Sequence, residues 1–228
     1  MTITIHRDLE QGTEAWLQAR CGIITASEMK LLLTPTMKVA DNDKVRAHLW
    51  ELLAQRITKH IEPRYINDDM MRGIESEPIA RDIYAQEVAV DVEVEQVGFI
   101  TNDEWGYVIG YSPDALVGTE GLWECKAPRQ KTQIETIVSG QPPAEHILQL
   151  QTGLLVSGRK WIDFSSYHGG MYMPTYRVYP DEAIQRAILE ATSIFEGKLN
   201  EKMAEYEYRV AQGRMVMTER AIEEEMMQ

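Results

Sequence analysis

The segment from Ser112 to Lys126 constrains the fold more than any other part of the chain. It carries apolar runs on both sides of the loop Gly118–Glu120, a pattern typical of a β-hairpin with a glycine-containing turn. If these three residues form the loop, Asp114 lies directly across from Glu124. Residues two apart in a strand share a face, so Lys126 joins Glu124. The hairpin therefore predicts two carboxylates and a lysine on one patch, and a register slip of one residue would separate them.

These side chains suit a particular chemistry. Asp114, Glu124 and the backbone carbonyl of Cys125 would offer hard oxygen ligands of the kind that Mg²⁺ or Mn²⁺ prefers. Lys126 could orient or deprotonate a water molecule, or neutralise charge on a phosphate. Together they outline metal-dependent phosphodiester hydrolysis. An ordinary charged strand on a solvated sheet face has the same pattern, so the hairpin alone does not decide between the two.

Composition narrows the class of protein. Of 228 residues, 44% are hydrophobic and 26% are charged, and no run is long enough to span a membrane. The formal net charge of −13 argues against a protein that simply coats nucleic acid, but allows an enzyme that reaches DNA through metal and a local basic channel. The first residues lack signal-peptide features, and Cys21 and Cys125 are not in a metal-binding spacing. We therefore expect a reduced, cytoplasmic protein.

Hydrophobic periodicity predicts a single α/β domain over residues 1–228, with a mixed central sheet and a C-terminal helical extension over about 181–228. Predicted helices cover residues 13–20, 25–33, 43–60, about 73–87, 144–156, 181–212 and 214–228. Besides the hairpin, predicted strands cover 88–100, 161–166 and 175–179, and residues 127–143 are predicted as a loop. The apolar face of the 73–87 helix is predicted to carry Ile79, Ile83 and Tyr84.

A second candidate site lies at the start of the 25–33 helix. Thr25 and Glu28 form a capping-box pattern, and the free N–H groups of a helix N-terminus attract anions. Ser27 adds a hydroxyl, and Arg20 could bind a phosphate with two N–H groups. Such caps are common, so an ordinary capped helix with a surface arginine is the simpler explanation of these residues taken alone.

Five sequence blocks, in order and with similar gaps, closely resemble the phage-type alkaline exonucleases of the lambda exonuclease (YqaJ-like viral recombinase) family. The blocks span residues 11 to about 160 and read Gln11-Gly-x-x-x-Trp16-x-x-x-Arg20-x-Gly22-x-Ile24-Thr25-Ala26-Ser27-Glu28, Gly73-x-x-x-Glu77-x-x-Ala80-Arg81, Ser112-Pro113-Asp114, Glu124-Cys125-Lys126-Ala127-Pro128 and Gln149-Leu150-Gln151. The resemblance implies the restriction-endonuclease-like PD-(D/E)xK fold. It also implies digestion of one strand of duplex DNA from its 5′ end, with release of mononucleotides and a 3′ overhang.

The resemblance assigns metal and catalytic roles by position. Asp114 and Glu124 match Mg²⁺ ligands, and the Cys125 carbonyl completes the shell. Glu77 would reach a second ion, directly or through water, so two Mg²⁺ ions are expected in each site, with Mn²⁺ as the alternative metal. Lys126 would contact the scissile phosphate and activate the attacking water.

Other positions are assigned to the substrate. Gln149 would support the lysine and the water, whereas Arg20 and Ser27 would hold the 5′-phosphate. Met70 or Met71, just before the catalytic helix, could wedge between bases to separate the strands, with Met70 the first choice, although a methionine there is more often part of a core. His146 receives no role, because the family usually has an aromatic residue at that position.

The resemblance also implies partners. These are double-stranded DNA ends, a ring-shaped homotrimer threaded by DNA and a single-strand annealing recombinase, with a phage or prophage protein acting in the bacterial cytoplasm. A further acidic position of the family falls on Asp103 or Glu104, and the spacing does not separate them.

Two other functions use parts of the same pattern. A metal-dependent endonuclease or repair nuclease of this fold needs Asp114, Glu124 and Lys126 but neither Arg20 nor Ser27. A non-catalytic module that binds DNA ends or a recombinase needs none of the acids, and the complete set of two acids and a lysine argues against it.

Overall fold

A computed structural model describes residues 2–63 and 67–220 of the chain. The strands within these residues are β1 (Ile3–His6), β2 (Ile24–Thr25), β3 (Val94–Glu95), β4 (Phe99–Asn102), β5 (Ile109–Tyr111), β6 (Ala115–Val117), β7 (Gly121–Lys126), β8 (Trp161–Ser166) and β9 (Thr175–Val178). The α-helices are α1 (Glu14–Arg20), α2 (Met29–Leu32), α3 (Asp43–Thr58), α4 (Asp68–Glu87), α5 (Gln130–Ser139), α6 (Ala144–Ser157) and α7 (Glu182–Gln212). A 3₁₀ turn, Ala26–Glu28, leads into α2.

The described strands form two sheets, with orders β1-β4-β5-β2 and β3-β6-β7-β8-β9. In the larger sheet β7 runs antiparallel to β6 and parallel to β8. A parallel neighbour requires a long crossover, which α5 and α6 supply. The predicted mixed α/β architecture is therefore confirmed, and the carboxyl ends of β7 and β8 lie at the same edge of the sheet.

The predicted hairpin register is also confirmed. Ala115 pairs with Trp123, and the same register extended by one residue places Asp114 across from Glu124. Gly118 opens the three-residue loop with a φ of +51°, a conformation that glycine adopts without steric cost.

Helices cover both faces of the larger sheet. One face packs on α4 in an apolar cluster of Ala80, Tyr84, Trp123 and Cys125, in which the Tyr84 and Trp123 rings stack with centroids 5.3 Å apart. The other face packs on α6 in a cluster that includes Leu116, Leu122, Leu150, Leu154 and Phe164. The helix α7 buries Ile188, Phe195 and Leu199 in a third cluster with α2 and α3. Each fully buried aromatic or aliphatic side chain contributes about 1.5–3 kcal/mol to folding.

The helix α4 begins earlier than predicted. The side chain of Asn67 accepts a backbone hydrogen bond from the first turn, so the helix starts at Asp68 rather than near residue 73. Pro78 therefore lies inside the helix, not in its first turn. The predicted apolar face is wrong for Ile79 and Ile83, which are 51% and 36% exposed, because the buried face of α4 carries smaller or polar-tipped residues instead.

The predicted strand over residues 88–100 is wrong for residues 88–93 and present only in short pieces beyond them. The chain turns after α4, with Asp91 at a φ of +61°, and resumes as the short strands β3 and β4, which belong to different sheets. Val90 and Val92 are 57% and 45% exposed. Their alternation with acidic residues imitates a half-buried strand, but the segment lies on a surface turn.

The predicted loop over residues 127–143 contains the helix α5. Its buried Gln133 donates hydrogen bonds of 2.8 Å to the backbone carbonyls of Ser166 and Tyr172. A buried glutamine anchors this helix, so hydrophobic periodicity could not reveal it.

The end of the chain also differs from prediction. Gly213 ends α7 as expected, but residues 214–220 are not helical. The rest of the predicted last helix, residues 221–228, lies outside the described residues. In the part of the chain that is described, no helix is both long and apolar enough to cross a membrane.

Candidate active site

The acids and the lysine of the hairpin meet at the carboxyl end of β7. Asp114 and Lys126 line a cleft of about 470 Å³, together with Glu77 from α4 and His146 from α6. The two helices approach from opposite faces of the sheet, because α4 packs on Cys125 and its neighbours whereas α6 packs on the other face. The strand end therefore brings together side chains that are far apart in sequence.

Glu124 is the most enclosed of the acids, with 1% of its surface exposed. Its Oε1 accepts hydrogen bonds from Lys126 Nζ at 2.6 Å and from Gln149 Nε2 at 2.5 Å. Its Oε2 accepts one from the Tyr111 hydroxyl at 2.7 Å. A buried carboxylate is costly unless such donors compensate it. The predicted Gln149 thus contacts the acid, and Tyr111 is a site residue that the sequence analysis missed.

The role of Tyr111 could not be predicted from the residues next to it in the sequence. It lies on β5 in the smaller sheet, whereas Glu124 lies on β7 in the larger one. Only the packing of one sheet against the other brings the hydroxyl to the carboxylate. A buried tyrosine must usually find a hydrogen-bond partner, which was the one available hint.

Asp114 is held by the backbone of the opposite strand. Its Oδ2 accepts a hydrogen bond of 2.6 Å from the Cys125 N–H. Burial, and after it the negative charge of Glu124, raise the pKa of Asp114 well above its usual range. Burial also raises the pKa of Glu77, with Glu124 adding to the shift and Arg81 opposing it.

Arg81 ties α4 to the hairpin. Its guanidinium donates hydrogen bonds of 3.3 Å to Glu77 Oε1 and to the backbone carbonyl of Asp114. One arginine thereby orients two of the predicted acidic residues. It belongs to the block Gly73–Arg81 but carried no assigned role.

Lys126 is a cation in this arrangement. Burial lowers the pKa of Lys126, but the charges of Glu124 and Asp114 and the hydrogen bond to Glu124 outweigh it, so the pKa lies above its ordinary value. The ammonium form therefore persists through neutral and moderately alkaline pH. For the Cys125 thiol, by contrast, burial raises the pKa and the charge of Asp114 adds to the shift, so the thiol stays neutral.

The acids could bind a divalent cation whose other ligands are water and substrate, but they could not supply its whole coordination shell. Among residues 2–63 and 67–220, no group of three or more His, Cys, Asp or Glu side chains is clustered closely enough to hold a metal by itself. Mg²⁺, however, is usually held by one or two carboxylates with water and substrate phosphates. Asp114 and Glu124 supply two carboxylates on paired strands, and burial, followed by the charge of Glu124, disfavours the ionised form of Asp114, which a cation would stabilise.

Of the two predicted phosphate residues, Arg20 lines a second cavity of about 390 Å³, whereas Ser27 is not among the described residues that line it. Met70 lines both cavities. The Arg20 guanidinium lies 4.2 Å from the Trp16 ring centroid. It donates hydrogen bonds to Ser112 Oγ at 3.0 Å and to Thr25 Oγ1 at 3.5 Å. Ser112 comes two residues before Asp114, so the residue that binds Arg20 and the candidate metal ligand belong to one short segment of chain.

Ser27 is exposed, and its hydroxyl lies 3.2 Å from Thr25 Oγ1. The predicted capping box is present, since Glu28 accepts hydrogen bonds from the N–H and hydroxyl of Thr25. It starts a 3₁₀ turn, and the α-helix that follows has only four residues. An anion here would therefore accept hydrogen bonds from the hydroxyl groups and Arg20, and would gain little from the dipole of so short a helix.

The remaining candidate residues differ in whether they line the cleft. His146 lines the cleft and stacks on Phe164 at 5.5 Å, and burial, followed by the charge of Lys126, lowers the pKa of His146 to about 4. Asp103 Oδ1 accepts a hydrogen bond from the Thr2 N–H, and the Glu104 N–H donates to Asn102. Neither Asp103 nor Glu104 is among the described residues that line the cleft.

Comparison with known proteins agrees with this geometry. The fold is a mixed α/β sheet with two acids and a lysine at a strand end, a pattern typical of nucleases, and the YqaJ-like viral recombinase domain matches residues 15–160. The crystal structure of an alkaline exonuclease (LHK-Exo) from Laribacter hongkongensis is 34% identical, with a TM-score of 0.78 over 88% of this chain and 99% of that one. The chain therefore belongs to the YqaJ-like viral recombinase family.

Two further solved structures are similar. LHK-Exo in complex with dAMP has 34% identity and a TM-score of 0.77, again over 88% of this chain and 99% of that one. A phage related exonuclease from Haemophilus somnus 129PT shares the fold at 12% identity, with a TM-score of 0.54 over 81% of this chain and 96% of that one. No curated protein matches the chain. The predicted restriction-endonuclease-like fold is confirmed by the LHK-Exo match.

Proposed function

We propose that this protein is a Mg²⁺-dependent 5′→3′ exonuclease of double-stranded DNA that releases 5′-mononucleotides and leaves a 3′ single-stranded overhang for strand annealing. One observation carries the proposal: the hairpin register sets Asp114 across from Glu124, with Lys126 and Gln149 bonded to Glu124. The similarity to LHK-Exo, an alkaline exonuclease with a known dAMP complex, supports both the activity and a mononucleotide product.

Asp114 and Glu124 would hold the metal, together with the Cys125 carbonyl, and Glu77 would serve a second ion. When bound there, Mg²⁺ (or Mn²⁺) would stabilise charge on the phosphate and lower the pKa of a water molecule. Arg81 already orients Glu77 and the backbone of Asp114. Tyr111 and Gln149 fix both oxygens of Glu124, so the carboxylate would not need to reorganise during the reaction.

Lys126 would act on the substrate as a cation. Its ammonium group lies beside Glu124 at the cleft and would donate to the scissile phosphate, stabilising the negative charge that develops there. Orientation of the attacking water would then fall to Lys126 and Gln149 as hydrogen-bond donors.

Arg20 and Ser27 would set the direction of digestion by binding the 5′-phosphate in the adjacent cavity. After each cut, the new 5′-phosphate would enter the same pocket and advance the duplex. Met70 lines both cavities and is 47% exposed, a position consistent with contact to the terminal base pair. We further propose a ring-shaped homotrimer, a single-strand annealing recombinase as partner, and action on DNA ends in the cytoplasm of a bacterial host.

The decisive experiment measures release of nucleotides from end-labelled linear duplex with and without Mg²⁺. Asp114→Ala should abolish release, and undiminished activity in that variant would reject the mechanism. Comparing 5′-phosphorylated duplex, 5′-hydroxyl duplex and a closed circle tests the direction and the need for an end. Cleavage of the closed circle would indicate an endonuclease of the same fold, and DNA binding without cleavage would indicate a non-catalytic module.

A further inference from the structure

The turn after Arg20 is held by two consecutive residues of α3. The Gly22 N–H donates a hydrogen bond of 2.9 Å to Gln55 Oε1, and Arg56 Nε donates one of 2.8 Å to the Gly22 carbonyl. Gly22 is buried and has a φ of +72°, and a Cβ there would lie 2.6 Å from Arg56 Cγ. Both backbone groups of the turn are thus satisfied by α3 side chains, and only glycine fits without strain.

Arg56 is fixed in turn by α7. Its two terminal nitrogens donate hydrogen bonds of 2.8 Å and 2.6 Å to the two carboxylate oxygens of Glu196. Glu196 is buried, so this paired, charge-assisted contact is shielded from solvent. A continuous chain of hydrogen bonds therefore runs from α7 through α3 to the Gly22 turn.

The turn directly follows Arg20 in the chain and is hydrogen-bonded to it. Arg20 is the last residue of α1, and its carbonyl accepts a hydrogen bond of 3.1 Å from the Ile23 N–H across the turn. Gln55 lines the same cavity as Arg20. A guanidinium binds a phosphate with two N–H groups only when its stem is correctly placed, and displacements of about 1 Å reduce rates by up to about a hundredfold.

We propose that Gln55, Arg56 and Glu196 are positioning residues for the candidate 5′-phosphate pocket. They hold the Gly22 turn so that the Arg20 guanidinium faces the cavity beside Ser112 and Thr25. The inference rests on the proposed function, because it takes this cavity to be the 5′-phosphate site. It gives the C-terminal helix α7 a part in recognising the DNA end, although α7 contributes no residue to either cavity wall described above.

The test is the ratio of kcat/KM on 5′-phosphorylated to kcat/KM on 5′-hydroxyl linear duplex. In Glu196→Gln and in Gln55→Met, the ratio should fall about tenfold, towards that of Arg20→Ala. Gln55→Met keeps the ion pair between α3 and α7, so it gives an independent result if Glu196→Gln does not fold. Leu199→Ala is the matched control, because it weakens α7 packing but removes none of these hydrogen bonds.

Leu199→Ala should lower Tm and keep the wild-type ratio. The inference is overturned if Arg20→Ala abolishes the 5′-phosphate preference but Glu196→Gln and Gln55→Met retain it, or if these variants lose activity equally on both ends. In the first case the phosphate pocket itself stands, and in the second the ratio measured for Arg20→Ala decides whether it does. A wild-type protein that is indifferent to the 5′ group would overturn the pocket, and this inference with it.

Discussion

The hydroxyl of Tyr111 donates a hydrogen bond of 2.7 Å to Oε2 of Glu124, and both side chains are buried. The bond joins the two sheets, since Tyr111 belongs to β5 and Glu124 to β7. A Cβ at Gly153 of α6 would lie only 2.8 Å from the Tyr111 ring, so the helix packs directly on the tyrosine. The orientation of the most buried acid therefore depends on how both sheets and α6 fit together.

Tyr111→Phe should reduce activity about 10–100-fold, as is typical when a residue that orients a metal ligand is removed. The ring packing is kept, so the free energy of unfolding should fall by only about 1–3 kcal/mol, the cost of an unsatisfied buried oxygen. The measurement is rate against Mg²⁺ concentration. Tyr107→Phe is the control, because its hydroxyl donates to Leu189 outside the cleft. An unchanged metal dependence in Tyr111→Phe would contradict the expected role.

Lys126→Met should destabilise the protein as well as inactivate it. Glu124 would lose its charged partner while remaining almost fully buried, and breaking such a pair costs about 3–5 kcal/mol. The double variant Lys126→Met, Glu124→Gln should recover much of that loss without recovering activity. Chemical unfolding of the single and double variants measures both. A single variant as stable as wild type would show that the pair contributes little to folding.

Divalent metal should stabilise the wild-type protein but not Asp114→Asn. The folded-state pKa of Asp114 is raised, so the stability that it contributes without metal is present at low pH and is lost as pH rises through that pKa. At neutral pH without metal, Asp114→Asn should therefore have an equal or higher Tm, since asparagine can still accept from the Cys125 N–H. Mg²⁺ at a hundred times its Kd should add about 2.7 kcal/mol to the wild type. The measurement is thermal unfolding of both proteins with and without Mg²⁺. An equal rise of Tm in both proteins would argue against a metal at Asp114.

His146→Phe should make the protein more resistant to acid. The pKa of His146 is lowered to about 4 in the folded state, so the unfolded chain takes up its proton first and stability falls as pH drops from about 6.5 to about 4. The largest effect expected is about 3 kcal/mol. Phenylalanine keeps the stacking on Phe164 and removes the titration. Denaturant unfolding at pH 7 and pH 4.5 compares the two proteins, and a parallel loss of stability in both would refute the assignment.

Met70→Ala should slow digestion of duplex ends and leave single-stranded ends unaffected, because only the duplex must be unpaired near the metal. The rates on the two substrates are compared at saturating Mg²⁺. Met71→Ala is the matched control, since Met71 is also exposed, at 44%, but is not among the described residues that line the cleft. Equal losses on both substrates would reject a role in strand separation.

Local features could be predicted from the sequence where strand alternation and turn length point to the same pairing. Alternation around a three-residue glycine loop was enough to pair Asp114 with Glu124, because strand register follows directly from turn length. The capping signal of Asn67 was missed, so the start of α4 was predicted too late. The exposed valines after α4 were assigned to a strand because they mimic its period.

Features that depend on distant packing could not be predicted. Tyr111 reaches Glu124 only across two sheets, and Gln55 reaches Gly22 only because α3 lies against the end of α1. Arg81 was part of a matching block, yet its contact with the Asp114 carbonyl required the helix to be placed on the hairpin. In each case a polar side chain acts at long range, and hydrophobic periodicity carries no information about its partner.

The segment Ser112–Asp114 has a further consequence for the size of the product. Arg20 is hydrogen-bonded to its first residue, its last residue is the candidate metal ligand, and Gln11 donates a hydrogen bond of 2.8 Å to the carbonyl of Pro113 between them. Two residues reach at most about 7 Å, and the proline restricts the backbone further. In the proposed mechanism this segment fixes the distance between the site that binds the DNA 5′-phosphate and the metal that cuts the strand, because its covalent length cannot change. The number of nucleotides released in each cut would then be the same whatever the base, because the distance depends on the protein backbone and not on the DNA sequence.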